Sequence, residues 1–327
     1  MFELDQMDIT AENIVLVAKQ HKIEELTQLA ATADFVEVIS NLIHSLQAER
    51  GSSCLYLASA GQKFTKTKQE IIHESRILTI RLRELLAIKL AQSTYANAKL
   101  LTLMAWVLIG LDDLAVLRQN IHAFKLTPIE CIDAYSRLIA SLIALIFDVA
   151  DTAVDPRISY LLVALFNLVQ GKELAGQERA FGCYAFASGK IEPQYKQRIL
   201  HAIDTQTRYF EVFCEFAKPT YVEQWHQIER SDSTKCLHQL RAQLTMDSTI
   251  NTLDHQLSEL WFKHCSERLT DIWTLECALI HRIKSCSANL IAEAEVDLQN
   301  AHGLLANLRK NPPSNASLVD RFFDPTI

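Results

Sequence analysis

From Thr249 to His302 the chain carries neither glycine nor proline, and its apolar spacing stays helical throughout. A run of that length exceeds an ordinary globular helix, so a break or a long hairpin is expected inside it. Punctuation is sparse elsewhere too, with 8 glycines and 7 prolines in 327 residues. Leu, Ala, Ile, Glu, Gln and Lys, all good helix formers, are plentiful. Segments such as "SYLLVALFNLV" are β-compatible alone but continue helical stripes. The class is therefore all-α, and helices of roughly 20–30 residues with short connections suggest antiparallel bundles.

Capping signals divide the chain. Thr10 starts a first helix of about twenty residues. Asp34–Glu37, "DFVE", reads as a capping box opening a helix from Phe35 to about Ser59, closed by Gly61. A charged helix follows from Thr67 to Leu90, with Ile77, Ile80 and Leu85 among its apolar positions, then another from Tyr95 to Phe124. "TPIE", Thr127–Glu130, has a cap, a proline and an acid in the right order for a helix ending near Asp151. "DPRI" at Asp155 opens one reaching Ala187. Pro193 and Pro219 bracket the next, a short helix carries Trp225, and "STKCLHQLRAQL" forms one more. This gives an N-terminal helix (1–33), a main body (34–308) and a tail (309–327).

Composition narrows the function. With 32 basic and 39 acidic residues the net charge is −7, which suits no nucleic-acid-coating surface. The eight cysteines lack any CxxC or metal spacing and read as reduced, buried thiols in a cytoplasmic protein. Glu3, Asp5 and Asp8 stand where a signal peptide would be basic. "LLTLMAWVLIGL" and "LIASLIALIF" fall short of the ~20 residues that span a bilayer, so both are expected in the core, Trp106 included. No metal site, redox motif, phosphate loop or nucleophile elbow appears, so no cofactor and no enzyme is expected.

One feature resists this plain reading. Arg50 sits inside an apolar stripe, with Phe35, Ile39 and Leu46 before it and Cys54 and Leu57 after. "AERGSSCLYLASAG" at 48–61 is echoed by "QERAFGCYAFASGK" at 177–190, sharing E-R-x-x-x-C-x-x-x-A-S. Arg179 repeats the anomaly, and Arg241 in "CLHQLRAQL" resembles both. None has a carboxylate at intrahelical pairing distance. Glu49 and Glu178, about 100° from the stripe, fall on its flank. A buried unpaired guanidinium costs several kcal/mol and cannot lose its proton. Three solutions stand open: a carboxylate from another helix, a snorkelling stem with a wet head, or a bound anion. Gly51 and Ser53 beside Arg50, and Gly176 and Gly182 beside Arg179, leave room for a ligand of a few atoms. A guanidinium fork matches planar oxyanions.

At these residues the chain resembles the NIT family, the nitrate- and nitrite-sensing modules of bacterial regulators. "LIHSLQAERGSSCLYLASAG", "LLVALFNLVQGKELAGQERAFG" and "ELWFKHCSERLTDIWTLE" look like its three signatures in order. The resemblance spans roughly residues 10–308 and is closest to cytosolic antitermination regulators. It implies two antiparallel four-helix bundles sharing long helices, with nitrate or nitrite held by arginines. By motif those are Arg50 and Arg179, with Arg241 third, Arg230 its rival, and Ser53 and Gly51 alongside. In the antiterminators an RNA-binding ANTAR domain follows the sensor. No such domain is expected here, so no direct nucleic-acid binding is carried over. The expected partners are a small anion and a protein or output domain, with a homodimer possible and no membrane.

Overall fold

The computed structural model describes residues 10–91, 98–150, 155–245 and 253–310. Among them every regular element is a helix, so the all-α expectation holds. The order is α1 (Ala11–Ala58), α2 (Thr65–Ala91), α3 (Ala98–His122), α4 (Pro128–Ala150), α5 (Pro156–Ser188), α6 (Pro193–Phe216), α7 (Pro219–Glu229), α8 (Asp232–Thr245) and α9 (Leu257–Lys310). The expected start at Tyr95, end at Asp151 and start at Thr249 lie outside the described residues, as do residues 311–327 of the expected tail, whose first two residues, Arg309 and Lys310, belong to α9.

The punctuation residues act locally as expected. Glu130 accepts from the Thr127 backbone N–H at 2.8 Å while Thr127 Oγ1 accepts from the Glu130 N–H, a complete capping box. Asp155 caps α5 by accepting from Arg157 N–H at 2.8 Å, and Gly189, at φ 69°, closes it. Prolines open α4, α5, α6 and α7.

Two breaks are not there. Helix α1 runs through Asp34, whose carboxylate pairs with Lys284 of α9 at 2.5 Å, as does Glu37 at 2.6 Å. An ion-paired Asp costs a helix interior only a few tenths of a kcal/mol, too little to end it. Helix α9 is one element of 54 residues. Without glycine or proline before Gly303, and with Trp261, Cys265, Leu269, Ile272, Leu279 and Ile283 buried in helical register, nothing stops it.

The chain forms two compact units, one of Ala31–Lys284 and the other of the residues up to Ala30 with those from Ser285 on. The second unit buries Leu26, Leu29, Leu290 and Ala294. The first holds the main core, where Cys54, Phe181, Cys183, Phe186, Trp261 and Cys265 cluster with Leu237 and Leu240 of α8. Trp261 is fully buried and its indole N–H donates to the Arg179 carbonyl at 3.0 Å.

Helix α3 departs from expectation. Its Leu100, Met104, Val107, Leu111 and Leu114 are buried, but Trp106 is 61% exposed, with Ile109 and Val116 beside it. The segment is apolar on both faces, and helical spacing turns only one inward. Among the described residues it is the one helix long and apolar enough to cross a membrane by length and composition. "LIASLIALIF" in α4 is buried as expected, through Leu138, Ile139, Leu142, Ile143, Leu145 and Ile146. In α2 the buried positions are Lys68, Ser75, Leu82 and Leu86, whereas Ile77 and Ile80 face solvent.

Candidate functional site

The two copies of the repeated motif lie on α1 and α5 and meet inside the larger unit. Both glutamates are buried, not on the flank. Glu49 takes two hydrogen bonds from Arg118 of α3, at 2.7 and 2.9 Å, with further donors from Tyr135 of α4 and Ser75 of α2. Glu178 takes the equivalent pair from Arg241 of α8, at 2.6 and 2.7 Å, and a third from Gln206 of α6. Each motif glutamate thus neutralises an arginine of a third helix and ties its own helix to others.

The motif arginines cross between α1 and α5. Arg50, fully buried, donates to both oxygens of Glu173 in α5, at 2.6 and 3.1 Å, and to Ser136 of α4 at 2.8 Å. Gln47 and Gln177 hold the same carboxylate, each at 2.9 Å. Arg179, 3% exposed, donates to the Gln47 backbone carbonyl of α1 and to Ser266 of α9 at 3.0 Å. Its guanidinium also lies 5.3 Å from the Phe262 ring. Of the three buried arginines among the described residues, Arg50, Arg179 and Arg268, Arg179 alone has only neutral hydrogen-bond partners. Burial, together with the Arg50 charge, pushes Arg179 down to about 10, which records the cost of an unbalanced cation.

The space beside these guanidinium groups is made by glycine. A Cβ on Gly51 would lie 3.0 Å from Arg179 Nε, and one on Gly176 2.7 Å from Arg50 Nη2. Arg50 Nε, Arg179 Nε, Gln47 Oε1 and Ser53 Oγ are buried with no hydrogen-bond partner among the described residues. Two N–H donors on two cations therefore remain for an acceptor. Farther along the interface Lys172 of α5 pairs with Glu276 of α9, both fully buried, and Ser40 donates to the same glutamate. His44 of α1 stacks on Trp273 at 4.5 Å. Burial, then the charges of Lys172 and Arg179, push it down to about 3, so its imidazole is neutral at physiological pH.

The expected residues do not all converge. Arg50, Arg179 and Gly51 belong to one locus, and Ser53, three residues on from Arg50 in α1, is buried. Arg241 is taken by Glu178, the residue next to Arg179. Arg230 is exposed and paired with Glu223 at 2.7 Å in the α7 terminus, outside the buried cluster. Sequence reading missed Glu173, Lys172, Glu276, Gln47 and Arg268, which pairs with Glu229. The signal was present: Lys172 and Glu173 sit in the quoted α5 segment among Leu165, Leu168 and Val169, polar residues on an apolar run. An open groove of about 540 Å³ between α3 and α4, lined by Trp106, Ile109 and Leu138, contains none of these arginines.

Comparison with known proteins matches this chain to a family. The model of the nitrate and nitrite sensing (NIT) family matches residues 41–284. The nitrate regulatory protein of Klebsiella oxytoca is 28% identical over 289 residues, 86% of this chain and 70% of that one. The structure of the NasR transcription antiterminator aligns with a TM-score of 0.75, covering 91% of this chain and 84% of that one at 26% identity.

Proposed function

Because this chain belongs to the nitrate and nitrite sensing family, we propose that it is a signal receiver in which nitrate or nitrite binds between α1 and α5. The anion accepts from Arg179 and Arg50 and supplies the negative charge that Arg179 lacks. The observation that carries this reading is the buried Arg179 guanidinium with only neutral partners, beside the free Nε–H of Arg50. Arg241 serves at one remove, through Glu178. No residue here is assigned a catalytic part.

Binding would tighten contacts among α1, α5 and α9, since Arg179 already touches Gln47 and Ser266. The anion shifts the receptor only as far as it binds one packing better than the other. The change then passes to a partner or an output domain, in the cytoplasm, where the protein works as a transcriptional regulator.

A second reading has its own support. Arg50 and Arg241 already have carboxylates, as a scaffold with structural ion pairs would require. Titration separates the two. A ligand at one hundred times its Kd stabilises by about 2.7 kcal/mol. Nitrate or nitrite should raise the Tm of the wild type where chloride does not, and Arg179→Gln should remove the rise. A wild type indifferent to both oxyanions, or an undiminished rise in a folded Arg179→Gln protein, rejects the receptor.

A further inference from the structure

The locus carries a defined charge. On the inner faces of α1, α5 and α9, three cations, Arg50, Lys172 and Arg179, face two carboxylates, Glu173 and Glu276. Both carboxylates are fixed in place. Glu276 is held by Lys172 and Ser40, and Glu173 by Arg50, Gln47 and Gln177. The neighbouring pairs Glu49–Arg118, Glu178–Arg241 and Glu229–Arg268 balance one to one. His44 is neutral and adds nothing. One positive charge is left at this contact of α1, α5 and α9, shielded from water; the buried Lys68 of α2, which lies over the Tyr56 ring and has no ion pair among the described residues, stands outside this count.

We propose that Glu173 is the selectivity residue of this site: its carboxylate cancels Arg50, so that a monoanion balances what remains and a dianion overcharges it. The inference rests on the anion reading given above. Two buried guanidinium groups alone would welcome sulfate or hydrogen phosphate as readily as nitrate, because each divalent anion could neutralise both. With Glu173 in place a dianion leaves a net negative charge in a low-dielectric interior, close to a carboxylate it cannot escape. Shape cannot supply this discrimination alone, since guanidinium forks accept tetrahedral and planar oxyanions alike. Gln47 and Gln177 are then positioning residues. Each donates one amide N–H to Glu173, which holds the carboxylate turned toward Arg50 rather than toward the ligand.

The test uses the full chain, with thermal unfolding and calorimetric titration against potassium nitrate and potassium sulfate at matched ionic strength. The wild type should be stabilised by nitrate and not by sulfate. In Glu173→Gln sulfate should bind and stabilise, and the nitrate-to-sulfate affinity ratio should fall by at least about tenfold. Glu173→Asp keeps the charge and should keep the selectivity, which a merely structural role for Glu173 would not predict. If Glu173→Gln does not fold in low salt, refolding it against each anion asks the same question. Helical circular dichroism should then return with sulfate as well as with nitrate. A variant that binds or refolds with nitrate alone, one that neither anion refolds, or a wild type that takes both anions equally, overturns the inference. A wild type that responds to neither anion instead sinks the receptor reading beneath it.

Discussion

Replacing Arg241 with methionine should destabilise the protein in a way that depends on pH. Glu178 is buried to 1% exposure, with Arg241 against both its oxygens at 2.6 and 2.7 Å. Burial works to raise the Glu178 pKa, but the Arg241 charge and hydrogen bonds overcome it and hold the group below its usual 4.5. In the wild type that preference adds stability above pH 4.5, lost as pH falls through the folded value. Without Arg241 the sign reverses. Burial then dominates and lifts the folded pKa above 4.5, leaving an uncompensated carboxylate at neutral pH. Breaking a buried pair from one side costs about 3–5 kcal/mol, and about 3 is expected here because Gln206 still donates at 2.7 Å. The penalty is present at pH 8 and shrinks as falling pH lets Glu178 take a proton, by up to ~1.4 kcal/mol per unit. Urea unfolding of wild type and Arg241→Met at pH 8 and pH 5.5 measures both quantities. Adding Glu178→Gln should recover most of the loss, since removing both partners of a buried pair is often close to neutral. A loss under ~1 kcal/mol at pH 8, or an equal gap at both pH values, would show that Glu178 and Arg241 are not the buried pair described.

Two further outcomes follow from the same interface. Gly176→Ala would place a Cβ 2.7 Å from Arg50 Nη2; because Arg50 is pinned by Glu173 and Ser136, an overpacking loss of about 1–3 kcal/mol is expected, with a smaller nitrate-induced Tm rise. His44, held near 3 against 6.5 when unfolded, should cost stability as pH falls below 6.5, since only the unfolded chain takes the proton there. Relative to His44→Gln, the wild type should lose about 1–2 kcal/mol between pH 7 and pH 5, and parallel curves would show that the imidazole is not shielded.

What the sequence discloses here is mostly local. Thr127 with Glu130, and Asp155 with Pro156, carry their capping chemistry within a few residues and are read correctly. Asp34 and Glu37 show the same pattern, yet Lys284, far away in sequence, recruits both and the helix continues. Trp106 illustrates the converse. An apolar residue marks a face worth burying only when a neighbour is there to cover it, and α3 has one covered face. At the site, motif and stripe expose Arg50 and Arg179, because a charge on an apolar stripe is anomalous by itself. Glu173 is as anomalous, but its meaning depends on α1 crossing α5, which no spacing within α5 reveals. Glu49 and Glu178 were assigned to the flank by angle alone. Helices packed on several sides have no wet flank, and the partners that make burial tolerable, Arg118 and Arg241, lie on other helices.

The repeat explains why one guanidinium is left over. In both copies the glutamate engages an arginine from elsewhere, and the motif arginine crosses to the sister helix and meets a serine of a third, Ser136 for Arg50 and Ser266 for Arg179. Six places before Arg179 stands Glu173, the acceptor for Arg50; six places before Arg50 stands His44. A symmetric pair would set a carboxylate there against Arg179. The chain has a neutral imidazole instead, depressed in part by Arg179 itself. The repeated motif thus offers two comparable cation positions and an internal acid for one. Had both positions been acidic, the interface would be balanced and closed to anions. Had neither been, two bare guanidinium groups would repel each other across a dry contact. Histidine at the position where the sister helix carries an acid leaves Arg179 without an internal counter-charge, and on the proposed reading a monoanion such as nitrate supplies it.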